Sequence, residues 1–160
     1  MEWFYSGKPL CRALRISRES LEKLRELAGK HPEVAFLAIT GSIARRGFSV
    51  HDVDVAVKLS EAPDRYGALV SILADVSRAL GAPEECIDLI DLDRADVELK
   101  ASILRNSIVV IDRGYYGELV KELEEVLREY GGSGELSIRE WLYSRDPTSI
   151  DVSMVKRRFD

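Results

Sequence analysis

Glutamine is absent from this 160-residue sequence, and asparagine occurs once, as Asn106. Amides are thermolabile and charged residues make up 32% of the chain, a usage expected of a thermophilic source whose ion-pair networks gain value with heat. Cysteine is scarce too. Cys11 and Cys86 stand far apart, which suggests neither a disulfide framework nor zinc-ligand spacing, and the only histidines are His31 and His51. No apolar stretch approaches the ~20 residues of a membrane-spanning helix, and the opening Met-Glu-Trp-Phe-Tyr-Ser lacks the basic-then-apolar pattern of a signal peptide. A soluble cytoplasmic protein with no membrane association is expected. Positive charge is not in excess: the formal net charge is −5. A protein that grips long nucleic acid unaided needs a basic face, so direct nucleic-acid binding is not expected.

What is there supports one compact domain, since 46% of the residues are hydrophobic. Trp3, Phe4 and Tyr5 read as a short strand or arm. Ser17 reads as an N-cap, followed by a helix with Leu21, Leu24 and Ala28 on one face that ends near Gly29. A strand over residues 34–39 follows Pro32. A second strand starts at Val53, and a second helix carries Tyr66, Leu69, Val70, Leu73, Val76 and Leu80 before Gly81 and Pro83 close it. Further elements are a strand at 86–91, a helix at about 96–105, a strand at 107–111 and a helix after Gly114. Helices alternating with short strands describe an α/β (α+β) sandwich, a mixed sheet flanked by helices, with strand directions left open.

The chemistry is concentrated in residues 38–57. The apolar run Val34-Ala-Phe-Leu-Ala-Ile39 stops at Gly41-Ser42, and Asp52-Val-Asp54 opens the next strand. Side chains alternate along a strand, so Asp52 and Asp54 share one face while Val53, Val55 and Val57 take the other. Two carboxylates ~4 Å apart at an effective dielectric of ~20 repel by about 4 kcal/mol. Such a pair calls for a cation, and oxygen-only ligation favours Mg²⁺ over zinc. The Gly41-Ser42 turn offers backbone N–H groups and a hydroxyl to a phosphate, with Arg45 and Arg46 close by in sequence. A phosphate cradle beside metal-binding carboxylates reads as phosphoryl or nucleotidyl transfer.

This pattern resembles the nucleotidyltransferase superfamily typified by DNA polymerase β, and within it the minimal nucleotidyltransferases. Their signature is Gly-Ser, a spacer, Asp-x-Asp and a third acidic residue on a later strand. Ile87-Asp-Leu-Ile-Asp-Leu92 looks like that later strand, and the resemblance extends over residues 17–112. The spacer from Ser42 to Asp52 holds nine residues, one fewer than usual in the minimal subgroup, and His51 stands where serine is usual. The third acid is Asp88 or Asp91, which fall on opposite strand faces; the family's apolar-Asp-apolar pattern favours Asp88. Arg45 fits the Gly-Ser-x-Ala-Arg form, whereas Arg46 reads as a solvated charge, Ser49 and His51 as loop-orienting groups, and Asp91 and Asp93 as caps or solvated acids. The string Arg46-Gly-Phe-Ser-Val-His51 also fits a loose arginine-to-histidine pattern of HEPN ribonucleases. That pattern needs a helical bundle, and here it overlaps a loop the Gly-Ser motif explains.

The resemblance implies that Asp52 and Asp54 hold Mg²⁺ with the triphosphate, that Gly41 and Ser42 grip phosphates, and that Asp88 shares metal and accepts a proton. It further implies an acceptor on another protein, because little more than a catalytic core exists. Minimal nucleotidyltransferases paired with HEPN ribonucleases act as antitoxins that transfer AMP from ATP to a toxin tyrosine, and this is the leading expectation. Transfer to a small molecule or another protein, and a binding antitoxin without transfer, are the competing ones. Residues 1–130 form the expected nucleotidyltransferase domain. Gly131-Gly-Ser-Gly134 reads as a linker to a tail, residues 135–160, that is too short for its own core and either folds back or meets a partner.

Overall fold

The computed structural model describes residues 4–5, 8–9, 11, 13–49 and 52–130. Trp3, His51, the Gly-rich linker and the tail lie outside the described residues. Two short strands, β1 (Phe4–Tyr5) and β2 (Lys8–Pro9), pair antiparallel, and β3 (Leu14–Arg15) leads to the first helix. Ser17 caps that helix, α1 (Arg18–Lys30): its Oγ accepts the Ser20 N–H at 3.1 Å, satisfying a donor the helix leaves unpaired. The stripe that enters the core is Leu21, Leu24 and Leu27, with Ala28 at its margin.

The chain then enters β4 (Val34–Thr40) and the six-residue helix α2 (Gly41–Arg46), so the Gly-Ser turn is the first step of a helix. Gly47 ends it in the left-handed conformation at φ 81°, and β5 (Phe48–Ser49) follows, paired antiparallel with β3. Then come β6 (Val53–Leu59), α3 (Arg65–Leu80), a single 3₁₀ turn at Glu84–Cys86, β7 (Ile87–Asp91), α4 (Val97–Arg105), β8 (Ser107–Asp112) and α5 (Tyr115–Tyr130).

The main sheet has the order β7–β6–β4–β8, with β4 antiparallel to both β6 and β8 and with β6 parallel to β7. The parallel pair needs a crossover, which α3 supplies. One face of the sheet carries Leu37, Ile39, Val53, Val55 and Val57 and is covered by α1 and α3 through Leu24, Ile72 and Val76. The other carries Phe36, Ala38, Ala56 and Val109 and is covered by α4 and α5 through Ile103, Leu104, Leu119 and Leu123. A mixed sheet between two helical layers is the expected class. Fully burying one Leu or Ile side chain contributes about 1.5–3 kcal/mol, so the two clusters dominate the folding energy.

Three details depart from the sequence reading or add to it. Tyr66 and Val70 are 80% and 49% exposed, and Ile72 takes the core position between Leu69 and Val76 instead. Cys11 and Cys86, 75 residues apart in sequence, are joined by a disulfide. Sequence distance gave no hint of it, because the start of β7 meets the N-terminal segment only after the sheet has formed. Closing a loop of that length removes about 4 kcal/mol of entropy from the unfolded chain on the loop-closure account. Finally, Arg113 donates to the carbonyls of Ala28 (2.7 Å), Pro32 (2.6 Å) and Val34 (2.9 Å), clamping the end of α1 to the start of β4.

Candidate active site

Strand register assembles the site. Asp54 of β6 lies beside Asp88 of β7 on one side and Thr40 of β4 on the other, and Thr40 is in turn level with Ser107 of β8. One polar residue from each of the four strands thus forms a row across the end of the sheet. The next row on the same face is Ile90, Ala56, Ala38 and Val109, all part of or packed on the α4–α5 core. The row of four polar residues therefore lies at the end of the sheet where β4 ends and β6, β7 and β8 begin.

Gly41 closes that edge. Its φ of 70° is left-handed, and a Cβ there would lie 2.3 Å from Asp54 Oδ2. The position tolerates glycine for two separate reasons, conformation and the near approach of a carboxylate. Asp54 is half-buried, and its pKa is raised, first by burial and then by the charges of Asp88 and Asp52, against a smaller lowering by Arg45. The acidic residues do not neutralise each other, and the nearby arginine compensates only in part.

Asp52 sits just before β6 and is exposed; Ser49 Oγ donates to its carbonyl at 3.0 Å and so holds the loop. Asp88 is exposed at the row's outer end, Gly41 and Ser42 are half-buried, and Arg45 and Arg46 are exposed on α2. The structure therefore brings Asp52, Asp54, Asp88, Gly41 and Arg45 to one edge, with Ser42 next in the chain. Asp91 goes elsewhere. It lies on the face of Ile87 and Leu89, ion-paired to Arg65 of α3, and its Oδ1 accepts the Asp93 N–H at 3.1 Å. Asp93 pairs with Arg65 at 2.7 Å and with Lys58.

The sequence reading passed over three neighbours. Thr40 is buried in the row, where its Oγ1 donates to the Asn106 carbonyl at 2.9 Å. Ser107 is fully buried, and its Oγ, like Asn106 Oδ1, has no hydrogen-bond partner among the described residues. Both stand as polar residues at the end of apolar strands, a signal that was legible. Cys11 is the third: its Sγ lies 3.6 Å from Asp52 Oδ1. Among the described residues no three acidic, histidine or cysteine side chains converge tightly enough to hold a metal ion by themselves. No helix among them is long and apolar enough to cross a membrane.

A family model described as polymerase beta, nucleotidyltransferase, matches residues 22–115, which is more than half of the chain. The protein belongs to the polymerase β-type nucleotidyltransferase family. No curated protein matches it. Among solved structures, a double mutant of the toxin–antitoxin pair MntA–HpeT aligns at TM-score 0.51 and 16% identity, covering 72% of this chain and 94% of that one. A toxin–antitoxin structure with AMP-PNP aligns at TM-score 0.51 and 17% identity, covering 69% and 92%. The tri-AMPylated HEPN toxin of Shewanella oneidensis in complex with MNT antitoxin aligns at TM-score 0.48 and 17% identity, covering 70% and 90%. For the two at TM-score 0.51 the likeness is one of fold.

Proposed function

We propose that this chain is a Mg²⁺-dependent nucleotidyltransferase that moves AMP from ATP onto a tyrosine hydroxyl of a HEPN-type toxin, and so acts as an antitoxin. The observation that carries the reading is the side-by-side placement of Asp54 and Asp88 on parallel strands, against the left-handed Gly41. A site that gathers only partly compensated carboxylates next to the Gly41-Ser42 turn suits a substrate that brings both cation and phosphate. The donor set is all oxygen, which fits Mg²⁺. The lack of a closed cage among the described residues fits as well, since this ion is held by one or two carboxylates together with substrate phosphates. When bound, Mg²⁺ would screen the triphosphate and make its α-phosphorus more electrophilic.

In this reading Asp54 of β6 and Asp52 just before it are the ligands, and Gly41 and Ser42 present backbone N–H groups and a hydroxyl to the phosphates. Arg45 adds positive charge from the same short helix. Asp88, the outer member of the row, accepts the proton as the acceptor oxygen bonds to the α-phosphorus and pyrophosphate departs. The partner assignment rests on the Gly-Ser-Ile-Ala-Arg motif and on a shared fold with MntA of a toxin–antitoxin pair. The test is transfer of label from α-labelled ATP to a co-expressed HEPN protein. Transfer that needs Mg²⁺ and is abolished in an Asp52→Asn/Asp54→Asn double mutant is expected. Tight complex formation without label would overturn transfer in favour of neutralisation by binding alone.

A further inference from the structure

The Cys11–Cys86 disulfide stands at the edge of the acidic row, and nothing in the proposed transfer uses it. Cys86 is 3% exposed and immediately precedes β7, whose second residue is Asp88. Its partner Cys11 is half-buried, and its sulfur rests 3.6 Å from Asp52 Oδ1. A bridged sulfur carries no proton, so this contact is not a hydrogen bond to the carboxylate. It places a bulky, non-ligating atom against one of the oxygens that would face a cation. The same bridge ties Cys11 to the residue just before β7, whose first residue, Ile87, is paired with Val53 at the start of β6.

We propose that Cys11–Cys86 is a reversible redox site that regulates this active site: in the oxidised bridge the Cys11 sulfur abuts one oxygen of the otherwise exposed Asp52 and weakens binding of the metal–nucleotide, and a dithiol reductant opens it. The proposal rests on the nucleotidyltransferase reading for what is bound. The exchange is balanced. A thiolate of the dithiol attacks Cys11 Sγ, the more accessible sulfur, and the Sγ–Sγ bond breaks with Cys86 leaving as thiolate. The second thiol of the reductant then displaces Cys11, so two electrons and two protons pass to the protein and the reductant departs as its own disulfide. Re-oxidation by a disulfide-bearing oxidant runs the same exchange backwards. Reduction leaves β3 paired with β5, so the chain remains anchored from Leu14 onward while the segment up to Cys11 is released from β7.

The geometry separates a switch from a plain staple. A staple far from the site would change melting temperature alone. Here the bridge touches Asp52, so nucleotide affinity should change as well. The experiment measures Mg²⁺-dependent binding of AMP-PNP by calorimetry to the full chain, oxidised and after treatment with dithiothreitol. Cys11→Ser and Cys86→Ser are measured alongside, with a melting curve for every sample. Reduced protein and both variants are expected to bind about 10-fold tighter than oxidised protein, the size of effect that perturbing a metal site's surroundings produces. Re-oxidation should restore the weak state in wild type and not in the variants. Equal affinity in all samples, or weaker binding after reduction, overturns the switch while leaving the nucleotidyltransferase reading intact. Unfolding of the reduced chain and of both serine variants at the assay temperature would make the bridge a staple and overturn it too. No binding in any redox state would bring down the nucleotide reading, and the switch with it.

Discussion

Gly41→Ala tests the site's geometry with a single methyl group. Two separable effects follow from the structure. The backbone at φ 70° is left-handed, where an alanine costs about 1–2 kcal/mol relative to its preferred conformations. The new Cβ would also lie 2.3 Å from Asp54 Oδ2, 3.2 Å from Cγ and 3.5 Å from Cβ. The near atom is the end of a side chain, so the carboxylate can turn away and the fold survives. Asp54 then no longer points where its partners need it. Melting should fall by about 2–8 °C, since each 1 kcal/mol shifts a chain of this size by about 2–4 °C. Transfer should fall far more, by about 10²-fold, the loss that a displacement on the order of 1 Å produces at a reacting centre.

The control is Gly47→Ala. Gly47 is also left-handed, at φ 81°, but a Cβ there meets nothing within 4 Å. It incurs the same backbone penalty, near the same loop, with no clash. Calorimetric melting and label transfer are measured on both variants. Similar melting losses with a transfer defect confined to Gly41→Ala would confirm that the methyl acts through Asp54. Wild-type transfer in Gly41→Ala would refute the role given to that contact, and equal transfer losses in both variants would trace the defect to loop distortion.

Asp54→Asn should abolish transfer without lowering metal-free stability. The folded-state pKa of Asp54 is raised by burial, Asp88 and Asp52, so stability present below the unfolded carboxylate value is lost as pH rises through the folded one. The variant's melting advantage should therefore appear at neutral pH and vanish in acid; a large drop at neutral pH would mean a structural role. Asp88→Asn should retain nucleotide binding but lower turnover by about 10²–10⁴-fold, as removal of a positioned base does, whereas Asp91→Asn, paired with Arg65 on the opposite face, should be mild in single-turnover assays. The reverse order would mean that Asp91 is the working acid. Truncation after Gly134 should preserve melting and nucleotide binding but weaken capture of the proposed toxin partner in pull-downs, because Trp141, Tyr143 and Phe159 among arginines suit an interface; an unfolded product would show that the tail completes the domain.

Alternation made much of this legible. Val53, Val55 and Val57 between acidic or small residues fixed the faces of β6, and parity set Asp88 and Asp91 on opposite faces of β7. The choice of Asp88 came from the family's apolar-Asp-apolar pattern, and only strand register puts it beside Asp54. The Ser17 cap was equally plain, because its short side chain accepts from the first helical turn; Asp96 caps α4 in the same way, which the sequence reading did not single out. Strand direction was not legible, since a strand's pattern of apolar residues reads the same whether its neighbour runs parallel or antiparallel. The exposure of Tyr66 and Val70 was hidden for a related reason: apolar periodicity marks a stripe wider than the part of α3 that the sheet can cover. The disulfide was hidden most deeply. It joins a segment before the first helix to the 3₁₀ turn after the third, and only the assembled sheet makes them neighbours.

The two ends of β6 and β7 treat negative charge in opposite ways. At the far end, Asp91 and Asp93 are matched by Arg65 and Lys58, and Asp93's carboxyl is held below the usual range, with the Lys58 and Arg65 contacts outweighing an opposing contribution from burial. At the near end, Asp52, Asp54 and Asp88 share one edge, and Arg45 is the cation that lowers the pKa of Asp54. A second lysine or arginine at that end would relieve repulsion, as Lys58 does six residues after Asp52. It would also fill the place of the cation that arrives with a nucleotide. On the proposed function, folding stability and substrate binding make opposite demands on this edge of the sheet, and the unmatched charge is what a site dependent on an incoming cation requires. The stability it gives up is supplied by the Arg113 clamp and the two apolar clusters, all of them placed where no charge has to move.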